Sequence, residues 1–475
     1  MSRVKIPWRW LAVLFLLPMF GEAAGRNILM VVTDDLGKDL GCYGDRVART
    51  PHLDRLAAEG TRFTHAFCTT ASCSASRSVI LTGLHNHATG QYGHQHSYHN
   101  FHTFDNIRTL PVLLGGAGFR TARIGKFHVQ PEEVYRFDEV LDRPPEGKPV
   151  SDRNMAAMAE RARVFLSRDD PRPFFLYFCT SDPHRSGAVN TNHPARPNRF
   201  GNGQNYAGIR ETIYRAEEVP VPGFLPDMEA TRAELAEYYQ AVARIDQGMG
   251  RLLEVLRQAG HYDDTLILFL SDNGIAFPGS KTTLYEPGMR LPLIVRSPTQ
   301  TRRGVVCGGM VSWVDLAPTI LEFAGVPFAA NQFHGRSFLS ILEQPTPSGW
   351  DEVHASHTFH EITMYYPMRV VRTRQHKCIL NLAHPLPFPF ASDLEESVTW
   401  RAIKARGDDR FGPRALSAFI QRPRYELYDL ERDPDEAQNL AADPEHAAIF
   451  ERLREKLRVF QERTGDPWVV KYRYE

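Results

Sequence analysis

The chain has 475 residues, 42% of them hydrophobic, which is enough for a large core and long enough for two or more lobes. Its 56 basic and 56 acidic side chains cancel, which excludes a global field that would draw in nucleic acid, so an anionic substrate must be caught by a local site. The six cysteines, Cys42, Cys68, Cys73, Cys179, Cys307 and Cys378, are too scattered for a disulfide framework or a zinc-type pair of CxxC turns.

At the N-terminus, Arg3, Lys5 and Arg9 precede an apolar run from Leu11 to Phe20 and the small residues Ala23 and Ala24. That is the layout of a cleavable export signal over 1–24, because the run is too short to span a bilayer. No later run is long enough to cross one. The expectation is an exported protein, in a compartment where disulfides can form. "RNILMVVTDD" then predicts a strand ending in two acids, and "PHLDRLAAEG" a helix that follows a proline and stops at glycine. "TTASCSASRSVILTGLHNH" sets the lone thiol of Cys73 among small hydroxylated residues, with Arg77 four positions on. "IGKFHV" spaces Lys126 and His128 two apart, so on an extended segment both point to one side. "RPFFLYFCTSDPH" predicts a second buried strand with His184 at its end, and "TRAELAEYYQAVARIDQGMGRLLEVLRQAG" a long helix with a break near Gly248. "DTLILFLSDNG" gives a third strand, "FPGSKTTLYEPG" a glycine-containing loop with Lys281, and "LPLIVRSP" a fourth strand. Beyond about residue 365 the texture changes to shorter strand-like pieces, "MRVVRTRQHKCILNL" and "YELYDLERDPDEAQNLA", and a final helix near "AAIFERLREKLRVFQERTG". The reading is a main domain over 25–365 and a smaller subdomain over 366–475. Buried strands alternating with helices imply an α/β protein with a mainly parallel sheet covered on both faces. Ligands of such sheets sit at the carboxyl ends of the strands.

Those ends carry the chemistry. Asp34 and Asp35 follow one strand, Asp272 and Asn273 another. Either pair alone reads more simply as a helix cap or turn. Together they offer oxygen-only ligands, which suit a hard cation such as calcium or magnesium. His128, His184, Lys126 and Lys281 are each, singly, ordinary polar residues. With Arg77 and a metal they form an arrangement for holding a tetrahedral oxyanion and moving protons around it.

C-S-A-S-R at 73–77, followed by S-V-I-L-T-G, resembles the first signature of the sulfatase family, and "GFRTARIGKFH" from Gly118 resembles the second. With "DD" and "SDNG" in the family's order, the resemblance covers nearly the whole mature chain. It implies an alkaline-phosphatase-like α/β/α sandwich with a smaller C-terminal α+β subdomain. It also implies conversion of Cys73 to Cα-formylglycine by a modifying enzyme, and one calcium ion held by Asp34, Asp35, residue 73, Asp272 and Asn273. In the mechanism that follows, residue 73 is the nucleophile, activated by Arg77. Lys126 and Lys281 neutralise the sulfo oxygens, His184 serves the leaving atom, and His128 deprotonates the second hydroxyl of the aldehyde hydrate. Ala75 is a departure, since proline is commoner there.

"GQYGHQHSYHNF", "SDPHRSG", "RFGNG", "SDNGIAFP", "HEITMYYPMR" from His360 to Arg369 and "YELYDLERDPDEAQNLA" resemble the sulfamidase branch of the family. That resemblance implies removal of the N-sulfo group from terminal glucosamine in heparan sulfate or heparin-type glycans. Lys281 stands where the branch has arginine, and only arginine offers a planar fork to a sulfo group. An O-sulfatase, whether glucosamine 6-O-sulfatase or arylsulfatase-like, is the alternative; a phosphodiesterase or phosphonate hydrolase and a non-catalytic glycan-binding protein stand further off. The implied partners are the sulfated glycan and the modifying enzyme. Nucleic acid is not among them, nor a membrane after signal cleavage, and a homodimer is left open. The exported form is periplasmic, secreted or lysosomal.

Overall fold

The computed structural model describes residues 26–142, 149–186 and 200–474; the expected signal at 1–24 lies outside them. A nine-stranded sheet forms the centre of the molecule. Its strands are β1 (Asn27–Thr33), β2 (Thr61–Phe67), β3 (Arg120–Gly125), β4 (Glu139–Val140), β5 (Phe174–Cys179), β6 (Thr265–Ser271), β7 (Arg290–Leu291), β8 (Leu293–Arg296) and β9 (Val305–Ser312). They run in the order β4-β3-β5-β1-β6-β8-β2-β7, with β9 also pairing β2. The run β4-β3-β5-β1-β6 is parallel throughout. The strand expected at "LPLIVRSP" is β8, which lies antiparallel to both β6 and β2. Ile28–Val32 and Leu266–Leu270 are all fully buried, because a parallel strand is covered on both faces and reads as a continuous apolar run.

Register fixes where the strands end. Gly125 pairs Cys179, Cys179 pairs Val32, and Val32 pairs Leu270. The chain therefore leaves β3, β5, β1 and β6 along one edge. Lys126 and His128, Asp182 and His184, Asp34 and Asp35, and Asp272 and Asn273 follow those four strands directly.

The long helix runs unbroken over Glu229–Gln258, so the break expected at Gly248 is not there. Glycine is needed for another reason: a Cβ at 248 would lie 2.2 Å from Cβ of Met155, on the neighbouring helix Met155–Leu166. The glycine permits close approach, and the remaining turns carry the helix through it.

A second, antiparallel sheet orders β10 (Glu352–His357), β11 (Met368–Thr373), β12 (His376–Asn381) and, after a small hairpin of β13 (Arg410–Phe411) and β14 (Arg414–Ala415), β15 (Tyr425–Asp429). The boundary expected at 365/366 falls between its first two strands. Helix Ala447–Arg463 packs Leu453 and Leu457 onto Val371, Cys378, Leu380 and Leu427 of this sheet. The architecture is the expected α/β one with a smaller C-terminal sheet. Among the described residues no helix is long and apolar enough to cross a membrane, and all six cysteines are free thiols.

Candidate active site

Cys73 opens a ten-residue helix, Cys73–Thr82, in which every side chain is buried. A group on residue 73 therefore sits at the positive end of a helix dipole, where anionic charge is favoured. Ligand atoms of Asp34, Asp35, Cys73 and Asp272 all lie within 4.8 Å of one another, and those of Asp34, Cys73 and His184 do likewise. Four expected residues from three parts of the chain thus meet at the strand edge, with Cys73 Sγ 3.8 Å from Asp35 Oδ1. As a thiol, Cys73 is a poor nucleophile here, because burial and then the charge of Asp34 push it well above its ordinary range.

Each carboxylate has its own cation. Arg77 Nε donates to Asp272 Oδ2 at 2.9 Å and Nη1 to the Lys126 carbonyl at 3.0 Å. Lys126 Nζ donates to Asp34 Oδ2 in a short contact. Lys281 Nζ donates to Asp35 Oδ2 at 3.0 Å. Burial opposes ionisation of Asp34, yet Lys126, His184 and Arg77 together hold its carboxyl well below the usual range. Asp272 goes the other way, up to about 8, through burial and the neighbouring charge of Asp34. Asn273 Nδ2 donates to Asp35 Oδ1 at 2.6 Å, which ties the two pairs of strand-end residues together. Two fully buried oxygens, Asp34 Oδ1 and Asn273 Oδ1, have no hydrogen-bond partner. Asp35 adopts φ +64°, a left-handed conformation uncommon outside glycine that aspartate tolerates better than most residues.

Lys281 uses all three of its N–H groups: besides Asp35 they go to His184 Nε2 at 3.1 Å and to Asp393 Oδ2 at 2.9 Å. His184 Nδ1 lies 2.6 Å from the carbonyl of Arg185. That carbonyl requires the proton on Nδ1, which leaves Nε2 as the acceptor from Lys281. Burial, followed by the charge of Lys281, lowers the pKa of His184. His128 sits apart from this group, with Nε2 2.6 Å from Nδ1 of His96 and its own Nδ1 unpartnered. Burial and then Lys126 hold it well below the ordinary imidazole range.

Four residues at this edge were given no role from the sequence. Asp393 is the third partner of Lys281; although burial opposes it, Lys281 and His184 lower its carboxyl to about 2. It is placed by a short helix, Ser392–Glu395, which is tethered where Ser392 donates to Glu361 from its N–H at 2.9 Å and its Oγ at 2.6 Å. Nearby, Glu234 accepts from the N–H groups of Val398 and Thr399 and pairs with Arg185, one residue from His184. His94 and His360 face each other Nε2 to Nε2 at 2.9 Å, and His360 reaches Ser72, the residue before Cys73, at 3.0 Å. Both histidines lie in stretches that resemble the sulfamidase branch, "GQYGHQHSYHNF" and "HEITMYYPMR". At the other end of the second stretch, Arg369 turns away to pair with Asp466.

The comparisons with known proteins agree with this geometry. The family model "Sulfatase" matches residues 26–326, more than half the chain, and a model described as "N-sulphoglucosamine sulphohydrolase, C-terminal" matches 279–385. Over 465 residues the chain is 42% identical to human N-sulphoglucosamine sulphohydrolase, covering 94% of this chain and 92% of that one. It is 26% identical to N-acetylglucosamine-6-O-sulfatase of Bacteroides thetaiotaomicron, over 94% and 88% of the two chains. A solved structure in complex with its substrate D-glucosamine-2-N,6-O-disulfate superposes with TM-score 0.66 at 22% identity, covering 94% of this chain and 99% of the other, a likeness of fold. The chain belongs to the sulfatase family.

Proposed function

We propose that the protein hydrolyses the N-sulfo group of terminal N-sulfoglucosamine in heparan-type glycans: R–NH–SO₃⁻ and water give R–NH₃⁺ and SO₄²⁻. The observation that carries this reading is the 42% identity to the human N-sulphoglucosamine sulphohydrolase along 94% of the chain. Export belongs to the same reading, with 1–24 as signal, 25–365 as catalytic domain and 366–475 as C-terminal subdomain; the family match beginning at residue 26 supports it.

The residues at the strand edge fit a hard divalent cation. Three carboxylates converge, and two buried oxygens, Asp34 Oδ1 and Asn273 Oδ1, have no hydrogen-bond partner. Asp34, Asp35, Asp272, Asn273 and residue 73 would hold calcium, which when bound supplies Lewis-acid charge for the sulfo group. Residue 73, as hydrated formylglycine, would supply a geminal diol, one hydroxyl to attack sulfur and one whose deprotonation releases sulfate. Arg77 holds the Asp272 carboxylate and the Lys126 carbonyl in place. Lys126 and Lys281 face the sulfo oxygens. Since all three N–H groups of Lys281 are engaged, a sulfo oxygen must displace one of its partners. His184 is the acid for the leaving nitrogen, and the Lys281 ammonium on its Nε2 is the nearest proton. His128, kept neutral by burial and Lys126, is the base for the second hydroxyl.

The reading is tested by two measurements. Peptide mass spectrometry of active protein is expected to show an aldehyde in place of the CH₂SH group at residue 73; active protein carrying only cysteine overturns the mechanism. In competition between glucosamine N-sulfate and N-acetylglucosamine 6-sulfate, sulfate is expected from the first. Release only from the second assigns the protein to the O-sulfatases.

A further inference from the structure

At the opposite end of the Cys73–Thr82 helix lies a cleft of about 850 Å³ between helix Ala447–Arg463 and the strand ends of β9 and β10. His334, in its wall, donates its N–H to the carbonyl of Gly83, the C-cap of that helix, at 2.9 Å. Ten helical residues span about 15 Å, so the cleft is separate from the catalytic edge.

Its walls are cationic in a chain whose total charge is zero. Helix Ala447–Arg463 contributes Arg452, Lys456 and Arg463, four and seven residues apart and therefore on one face. Acids line the cleft too, but they are taken: Glu352 pairs with Lys456 at 2.6 Å, Asp351 with Arg374 at 2.7 Å, and Asp315 accepts from the N–H groups of Ser312 and Arg336, both at 2.8 Å. Arg336 is engaged by the Gly349 carbonyl and the face of Trp350, while among the described residues Arg452 and Arg463 have no carboxylate within ion-pair distance. The floor holds His85, 3% exposed, whose Nδ1 has no hydrogen-bond partner and whose ring packs on Phe460 at 4.8 Å. Two arginines without carboxylate partners on one wall of the cleft call for a ligand with acidic oxygens.

We infer that this cleft is a second binding site for sulfated oligosaccharide, holding a glycan chain away from the catalytic edge. From Arg452 to Arg463 the helix spans about 16 Å, longer than a single sulfate or sugar ring, so the ligand is a chain bearing several anionic groups. Nucleic acid fits less well, because the cleft offers no free aromatic platform for bases: the face of Trp350 is covered by Arg336 at 3.9 Å. The ligand class rests on the proposed glycan function, while the cationic cleft does not depend on it.

The test uses the full-length protein and a 6-O-sulfated, fully N-acetylated heparin-type oligosaccharide, which carries no N-sulfo group to be cleaved. Its Kd is measured by calorimetry between 50 and 200 mM NaCl, for the wild type and for Arg452→Glu with Arg463→Glu. The paired reversal is expected to weaken binding at least about tenfold and to flatten the salt dependence by about two units of log–log slope, one for each cation. Arg452→Lys with Arg463→Lys is expected to keep the binding, and turnover of monosaccharide glucosamine N-sulfate is expected to stay within about twofold in both variants. Unchanged oligosaccharide affinity in the Glu variant overturns the site. So does equal affinity for inorganic sulfate or for a single-stranded oligonucleotide of matched charge. Failure of the sulfamidase reading appears elsewhere, as no monosaccharide turnover by the wild type.

Discussion

Replacing His184 by Gln tests the division of labour at the strand edge. Glutamine keeps a donor for the Arg185 carbonyl and an acceptor for Lys281, the two contacts that His184 makes at 2.6 and 3.1 Å, so the local geometry survives. What is lost is a group able to carry a proton. An amine expelled from sulfur must be protonated, and a positioned acid contributes roughly 10²- to 10⁴-fold, or about 3–5 kcal/mol in the barrier. An aryl oxide leaves without help. The expected result is a fall of about 10²- to 10⁴-fold in kcat on glucosamine N-sulfate and of less than about tenfold on 4-nitrophenyl sulfate. Burial and the charge of Lys281 lower the pKa of His184, so its protonated form is scarce at neutral pH. Wild-type kcat on the N-sulfo substrate should therefore decline as pH rises toward neutrality, and the Gln variant should lose that limb. Steady-state kinetics on the two substrates from pH 4 to 8 read both effects. Equal losses on the two substrates refute the acid role, leaving His184 as a positioning residue for Lys281.

Exhaustive chelation should lower activity and melting temperature together, and calcium should restore both, because Asp34, Asp35 and Asp272 crowd one point; no change in either measurement would remove the cation from this site. Arg369→Ala should cost about 3–5 kcal/mol in denaturant unfolding, since it strands Asp466 in a fully buried ion pair. Asp466 is held at about 2 against the burial that would raise it, by Arg369. A depressed carboxyl stabilises the fold above its unfolded pKa of about 3.9 and loses that contribution as pH falls toward 2, so the gap between wild type and Arg369→Ala should narrow in that window. His87 and His357 are held at about 3 by burial and Arg369. Their contribution is full above about 6.5 and is lost as pH falls toward 3. Asp246, raised to about 7 by burial, works oppositely, contributing below about 3.9 and losing it as pH rises through 7. Melting temperature should peak between these limits; a monotonic rise to pH 9 would refute the assignment.

The parts of this site legible in the sequence are those a strand carries to its own end. Asp34 with Asp35, and Asp272 with Asn273, each follow an apolar run, and the parallel pairing of β1 with β6 brings them together without further information. Asp393 was invisible for the opposite reason. It sits on a four-residue helix with no periodicity to read, and its place depends on contacts to Glu361 and Glu234 from other parts of the chain. "HEITMYYPMR" shows both cases in one stretch. His360 returns to the residue before Cys73, whereas Arg369, nine residues later, is consumed by an ion pair with Asp466 that spacing alone does not reveal. The Gly248 reading failed because a glycine that suggests a break can equally serve a close helix contact, and only the partner, Met155, decides between them.

Charge balance ties the proposal to the geometry. Asp34, Asp35, Asp272 and Asp393 face Lys126, Lys281 and Arg77, four carboxylates against three cations. With histidines neutral and all four carboxylates ionised, that set carries one negative charge, and burial makes the surplus costly. Asp272, pushed up to about 8 by burial and Asp34, marks where the crowding is felt. A divalent cation turns the surplus into one positive charge, and the single negative charge of an N-sulfo group cancels it. The same count explains why Lys281 can exchange a carboxylate for a sulfo oxygen at little electrostatic cost. It also makes Asp393→Asn informative: the variant should bind the substrate anion more tightly, lowering KM, while weakening the hold on Lys281 that keeps it against His184, lowering kcat. A fall in both constants is expected in steady-state assays of glucosamine N-sulfate. A rise in KM with kcat unchanged would show that Asp393 contacts the sugar instead.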